Sequence, residues 1–241
     1  MELSNVSDKY EIDVAKYIQS LAIDATRPKV SSKYSDILIK HKGQKVWLEV
    51  KMNHTDNLGN TRVFFDGKKW DASHEKTGAL SPLKQFCVDT LNKSREAKKF
   101  LEDLEKFAKM EDIKIPTTLG GLKDPKAVPL DVMKNFFNTR NRYILKTARM
   151  DMGKLVTAHY IKGKAEPVYY MQAADDFYMI SKKNPLGVPR DVPLLSGVGE
   201  FKMRVSTRSR FYEVQPEVKI MKMPSSKYSL KPGTRKKNPF E

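Results

Sequence analysis

The sequence predicts an α/β fold with a β-rich C-terminal half. Three observations carry that prediction. Apolar residues recur at helical spacing over residues 7–23 and 81–110, β-prone runs flank a glycine turn at Lys42-Gly43, and from Leu155 onward short alternating strands take over. At 241 residues the chain can bury a sizeable core, as one elaborated domain or as two small ones.

Taken in order, Ser7 caps a first helix that carries Val14, Ile18 and Leu21 at helical spacing. At ~100° per residue, Glu11 falls among Val14, Ala15, Ile18 and Ala22, while Asp13, Lys16 and Gln19 form the polar face. A carboxylate aimed at a core needs a partner or a role, because an unpaired buried charge is costly. The alternative is that Glu11 stays solvated in the first turn, near the positive end of the helix dipole. Residues 27–30 read as a first strand and residues 35–51 as a hairpin. Alternation along its second strand puts Val46, Leu48 and Val50 on one face and Trp47, Glu49 and Lys51 on the other. Asp36 opens the apolar run Ile37-Leu38-Ile39 and falls beside that second set.

Residues 53–60 read as a loop and 63–65 as a strand. Ser81-Pro82 starts a helix that reaches about Met110. Residues 115–129, rich in glycine and proline, read as a connection, and 130–150 as another helix. Strands are expected over 155–161, 168–171, 177–180, 200–206 and 211–220. Residues 224–241, poor in apolar side chains and holding Arg235-Lys236-Lys237, read as a flexible or loosely packed basic tail.

Charge and cysteine content narrow the function classes. Forty-five Lys and Arg against 29 Asp and Glu give a formal net charge of +16, which points to a polyanionic partner, nucleic acid first. No segment approaches ~18 consecutive apolar residues, so a membrane is the weaker candidate. The chain opens Met-Glu-Leu-Ser without the basic region or apolar core of an export signal, and a cytoplasmic location is expected, that of a host cell if the chain is phage-encoded. Cys87 is the single cysteine, which excludes an internal disulfide and a multi-cysteine zinc site, and it reads as a buried small hydrophobe. The four histidines show no metal-ligand spacing.

Asp36 and Glu49 at adjacent strand ends offer hard oxygen donors of the kind Mg²⁺ takes, with Mn²⁺ as a substitute. Lys51, two residues beyond Glu49 on the same face, is placed to hold or help deprotonate a water and to stabilise a charged phosphate. Its plainer reading is a surface lysine paired with Glu49, worth only ~0 to 1 kcal/mol.

Asp36 before an apolar strand, then Glu49-Val50-Lys51 at the end of the next, resembles the active-site signature of the PD-(D/E)xK nuclease superfamily. Glu11 on the preceding helix resembles the acidic helix of many members. The resemblance covers about the first 110 residues and implies a restriction-endonuclease-like core, a mixed sheet flanked by helices in the order helix, strand, hairpin, helix, strand. It implies Asp36, Glu49, Lys51 and Glu11 as catalytic residues, and Asp36, Glu49, Glu11 and the Val50 main-chain carbonyl around the cation. Ser35 stands where the family's name has proline. Gln85 lacks the following tyrosine that marks some exonuclease-like members, so an endonuclease is expected before an exonuclease.

The expected activity is Mg²⁺-dependent hydrolysis of DNA phosphodiesters, with double-stranded DNA as partner. A homodimer, a ribonuclease and a non-enzymatic nucleic-acid-binding protein stay open. The expected division is a nuclease core over 1–115, a connection and helix over 116–150, a β-rich part over 151–223 and the tail over 224–241. For DNA contact the candidates are Lys98 and Lys99 on the long helix, Arg140 and Arg142, and an alternating strand stripe of Arg204, Ser206, Arg208 and Arg210. The alternative for that stripe is an exposed strand face made soluble by charge.

Overall fold

The computed structural model describes residues 6–28, 35–59, 61–74, 78–114, 130–137, 144–148, 152–208 and 211–241. Its elements run α1 (Val6–Ser20), β1 (Asp24–Thr26), β2 (Ile37–His41), β3 (Gln44–Lys51), β4 (Val63–Phe65), β5 (Trp70–Ala72), α2 (Pro82–Lys93), α3 (Arg95–Met110), α4 (Leu130–Phe137) and β6 (Ile144–Ala148). After these come α5 (Met152–Thr157), a π-helical turn (Ala158–Lys162), β7 (Val168–Ala173), β8 (Asp176–Met179), β9 (Val198–Arg208) and β10 (Phe211–Met221). The class is mixed α/β, as expected. Among the described residues no helix is long and apolar enough to cross a membrane.

The chain forms two compact units. One comprises Met1–Asp56, Arg149–Val198 and Ile220–Glu241, the other Asn57–Ala148 and Gly199–Lys219. This differs from the contiguous division expected from the sequence. The chain leaves the first unit soon after β3 and returns to it before α5, and contacts across that interval have no local signature.

In the first unit the sheet order is β1-β2-β3-β7-β8. The β2–β3 hairpin turns on Lys42 (φ 48°) and Gly43 (φ 75°), the two positive-φ positions of a type I′ turn whose twist suits the flanking strands. Ile37 then pairs with Leu48 and Ile39 with Val46, so both strands present their apolar set to one side. Val14 and Ile18 of α1 join Ile37, Ile39, Leu48 and Val50 in the buried core. β7 lies parallel to β3, with Glu49 beside Met171 and Lys51 beside Ala173. A parallel pair needs a crossover, and α5 with its π-helical turn lies on that connection.

The second unit carries the sheet β5-β4-β10-β9-β6 with α2 and α3. Asn92 brackets the Trp70 backbone, accepting from its N–H at 2.8 Å and donating to its carbonyl at 3.0 Å. Cys87 is buried, as expected.

Several elements differ from expectation. Residues 155–161 are helical rather than a strand: Met152, Val156 and Tyr160, spaced four apart, are the buried positions, a helix face that a short β-branched run disguises. The helix expected over 81–110 is broken at Ser94, whose extended backbone ends α2 and whose hydroxyl accepts from the Ala97 N–H at 3.3 Å to begin α3. Of the helix expected over 130–150, α4 takes only Leu130–Phe137, and Ile144–Ala148 forms β6 against β9. The first strand is Asp24–Thr26 rather than 27–30, of which Lys29 and Val30 lie outside the described residues.

Residues 224–241 pack on the first unit instead of trailing from it. Leu230 and Ser229 are fully buried, and the Gln172 side chain accepts from the Leu230 N–H at 2.8 Å and donates to the Ser229 hydroxyl at 3.1 Å. The Gln172 side chain, together with the Phe177 N–H that donates to the Tyr228 carbonyl at 2.9 Å, holds this segment where its apolar content is low.

Candidate active site

β3 delivers Glu49 and Lys51 to the face opposite Leu48 and Val50, because side chains alternate. The Lys51 ammonium lies 2.7 Å from Glu49 Oε1. The Ser35 hydroxyl donates to Glu49 Oε2, and the Tyr160 hydroxyl donates to Oε1 at 3.4 Å. Asp36 stands just ahead of β2, and its Oδ2 accepts the Val50 N–H at 2.7 Å. The two carboxylates named from sequence are thus brought to neighbouring positions, with the lysine on Glu49. Lys51 gives its carbonyl to the Ala174 N–H on the β7 side, so the alternating backbone turns Val50's N–H and carbonyl the other way, toward Asp36.

The electrostatics divide the two acids. Burial pushes Asp36 up to about 7, the neighbouring Glu49 charge adds to this, and Glu11 contributes in the same direction. Burial alone would also raise Glu49, but Lys51, then Lys164, and the Lys51 and Ser35 hydrogen bonds outweigh it and hold Glu49 well below the usual range. Lys51, which burial alone would discharge, is kept protonated above its ordinary range chiefly by Glu49. It therefore serves as a donor and a positive charge. The expected option of helping to deprotonate a water does not suit it in this state.

Glu11 comes close enough for its charge to bear on Asp36, but its carboxylate is held by Arg27 at 2.7 Å, and Arg27 also holds Asp8 at 2.5 Å. The ion pair explains how a carboxylate is tolerated within the inner stripe of α1. It also means that Glu11 is already committed to a partner.

Sequence reasoning missed Ser35, Tyr160 and Lys164. Tyr160 is fully buried, and burial with the Glu49 charge drives its hydroxyl pKa well up, so it stays a neutral donor. It sits in a π-helical turn, a rare geometry often found at functional sites. The spacing Met152, Val156, Tyr160 was the available signal.

A second acidic group lies at the β7–β8 turn, where His54, Asp175 and Asp176 could together hold a metal ion. His54 Nε2 is 2.8 Å from Asp176 Oδ2 without hydrogen-bonding geometry. Lys236 already neutralises these carboxylates, at 2.6 Å from Asp176 and 3.4 Å from Asp175. Histidine spacing gave no hint of this group, because its members come from different segments.

Of the expected DNA contacts, Lys98 and Lys99 are exposed on α3. Arg204 is exposed but engaged, with Glu217 at 3.1 Å and Gln215 at 2.7 Å. At this position the strand face is a charge-paired one rather than a bare arginine stripe. Ser206 and Arg208 belong to β9, though their side chains lie outside the described residues, as do Arg140, Arg142 and Arg210 altogether. Gln85 is an exposed α2 residue that donates to Asp89 at 2.9 Å.

Comparison with family models, with curated proteins and with solved structures returned no match. The class that fold and site define is therefore a mixed α/β chain with a buried carboxylate–lysine cluster at adjoining strand ends.

Proposed function

We propose that this chain is a metal-dependent deoxyribonuclease, an endonuclease built on a restriction-endonuclease-like core. The observation that carries the reading is the convergence of Asp36, Glu49 and Lys51 where β2 and β3 adjoin, with Lys51 fixed 2.7 Å from Glu49. Support comes from the order α1, β1, the β2–β3 hairpin, α5 and the parallel β7, which is the order helix, strand, hairpin, helix, strand with the second unit inserted before its second helix. The net charge of +16 suits a polyanionic substrate.

The donor set fits a hard divalent cation: two carboxylates and a main-chain carbonyl, all oxygen. Asp36, Glu49 and the Val50 carbonyl would hold Mg²⁺, or Mn²⁺ in its place, which when bound lowers the pKa of water and neutralises phosphoryl charge. Glu11, paired with Arg27, acts on the site through its charge. Hydrolysis forms one bond from a water oxygen to phosphorus and breaks the bond from phosphorus to the leaving sugar oxygen. One water proton ends on that oxygen, and a phosphate monoester remains. Lys51, kept protonated by Glu49, offers its N–H groups to the phosphoryl oxygens as charge accumulates on them. Tyr160 and Ser35 fix the Glu49 carboxylate so that little reorganisation is left for the reaction.

The test is incubation of the parent and Glu49→Gln with supercoiled, linear, branched and single-stranded DNA and with RNA, in Mg²⁺ and in Mn²⁺. Nicking or linearisation of supercoiled DNA by the parent alone is expected. Binding without any cleavage selects a nucleic-acid-binding module instead, end resection an exonuclease, and RNA cleavage alone a ribonuclease.

A further inference from the structure

Lys164 follows the π-helical turn, half-buried, with its ammonium 5.7 Å from the centre of the Tyr160 ring. The hydroxyl of that same ring reaches Glu49 at 3.4 Å. Lys164 is thus held over the helix-borne edge of the site, and after Lys51 it is the cation that does most to lower Glu49. Among the described residues no carboxylate lies within ion-pair distance of its ammonium. Lys51, by contrast, is committed to Glu49 at 2.7 Å.

Charge balance gives this second ammonium a use. Asp36 and Glu49 are offset by Lys51 and Lys164, and Glu11 by Arg27 at 2.7 Å, so a divalent cation leaves the site two charges positive. Those two charges match a phosphodiester together with an attacking hydroxide. With Lys51 alone, the reacting centre would carry one uncompensated negative charge in a partly desolvated place, where such charges are expensive.

Granted the nuclease reading, on which this rests, we propose that Lys164 is a catalytic residue that binds the reacting phosphodiester and takes up the charge developing on it. The cation–π contact with Tyr160 holds the ammonium in place before substrate arrives. Lys51 approaches the same phosphate from the strand side and Lys164 from the helix side.

Two readouts on the full-length chain test this: DNA affinity as a function of salt in EDTA, by fluorescence anisotropy, and cleavage kinetics in Mg²⁺. Lys164→Gln is expected to reduce the slope of log affinity against log salt by about 0.9, one phosphate contact, and kcat by ~10²-fold. Lys164→Arg, which keeps the charge, should restore both in large part, and it controls for folding. An unchanged slope with slowed cleavage would overturn the proposal in favour of a positioning role through Glu49. A reduced slope with unchanged kcat would overturn it in favour of contact with a distant phosphate. If the parent cleaves and Lys164→Gln matches it in both readouts, this proposal alone fails. A parent that cleaves no substrate ends the nuclease reading and this proposal together.

Discussion

Replacing Asp36 by asparagine should make the protein more stable at pH 8, although it removes a polar group from the candidate site. Asp36 is raised from 3.8 to about 7, chiefly by burial and then by Glu49. The native state therefore binds the Asp36 proton more tightly than the unfolded chain does. Its contribution to stability is full below about pH 4 and is lost as pH rises through about 7, the reverse of a salt-bridged aspartate. That interval is roughly three factors of ten in proton affinity, or about 4 kcal/mol at ~1.4 kcal/mol each. Local relaxation and water entry take back part of this, so a gain of ~2 kcal/mol is expected for Asp36→Asn at pH 8. At pH 5 the gain should shrink by more than half, because the parent is then largely protonated at Asp36 in its native state. The amide oxygen can still accept the Val50 N–H, which preserves the local backbone. Urea unfolding in EDTA at the two pH values measures the difference. Trp47, two residues from Glu49, reports on the first unit in a Trp70→Phe background, since the chain has only these two tryptophans. A loss of stability at pH 8, or an effect equal at both pH values, would refute the reasoning.

Other outcomes follow from the same geometry. Mg²⁺ must displace the Asp36 proton, so calorimetric affinity should weaken by roughly tenfold per pH unit below about 7; a flat profile from pH 5.5 to 8 would place the cation away from Asp36. Leu230→Ala should cost about 2–5 kcal/mol, because Leu230 is fully buried in the segment that the sequence marks as a loose tail. A change within ~0.5 kcal/mol in a thermal or urea melt would mean that the segment is loose after all.

The hairpin was legible because its determinants are local. Gly43 fixes the turn, strand alternation fixes which side chains share a face, and together they place Asp36, Glu49 and Lys51 without reference to the rest of the chain. Glu11 was legible as an anomaly in the α1 stripe, but its partner was not, since Arg27 meets it through a fold-back that helical periodicity does not encode. Tyr160 and Lys164 were out of reach for two reasons. The β-branched pair Val156-Thr157 in α5 imitates a strand, and the segment rejoins β3 only after an inserted unit, with Tyr160 111 residues from Glu49. The packing of residues 224–241 is not legible in their apolar content, which is low. What holds the segment is a fully buried glutamine, Gln172, serving main-chain and hydroxyl groups of the tail.

Catalysis and folding come apart most cleanly in Asp36→Asn, because the substitution that should stabilise the protein should also stop it. Supercoiled plasmid is incubated with parent and variant in Mg²⁺ at pH 8, after both are confirmed folded. Nicked or linear product is expected with the parent, and a rate at least ~10²-fold lower with the variant. A folded variant that cuts as fast as the parent would contradict this expectation.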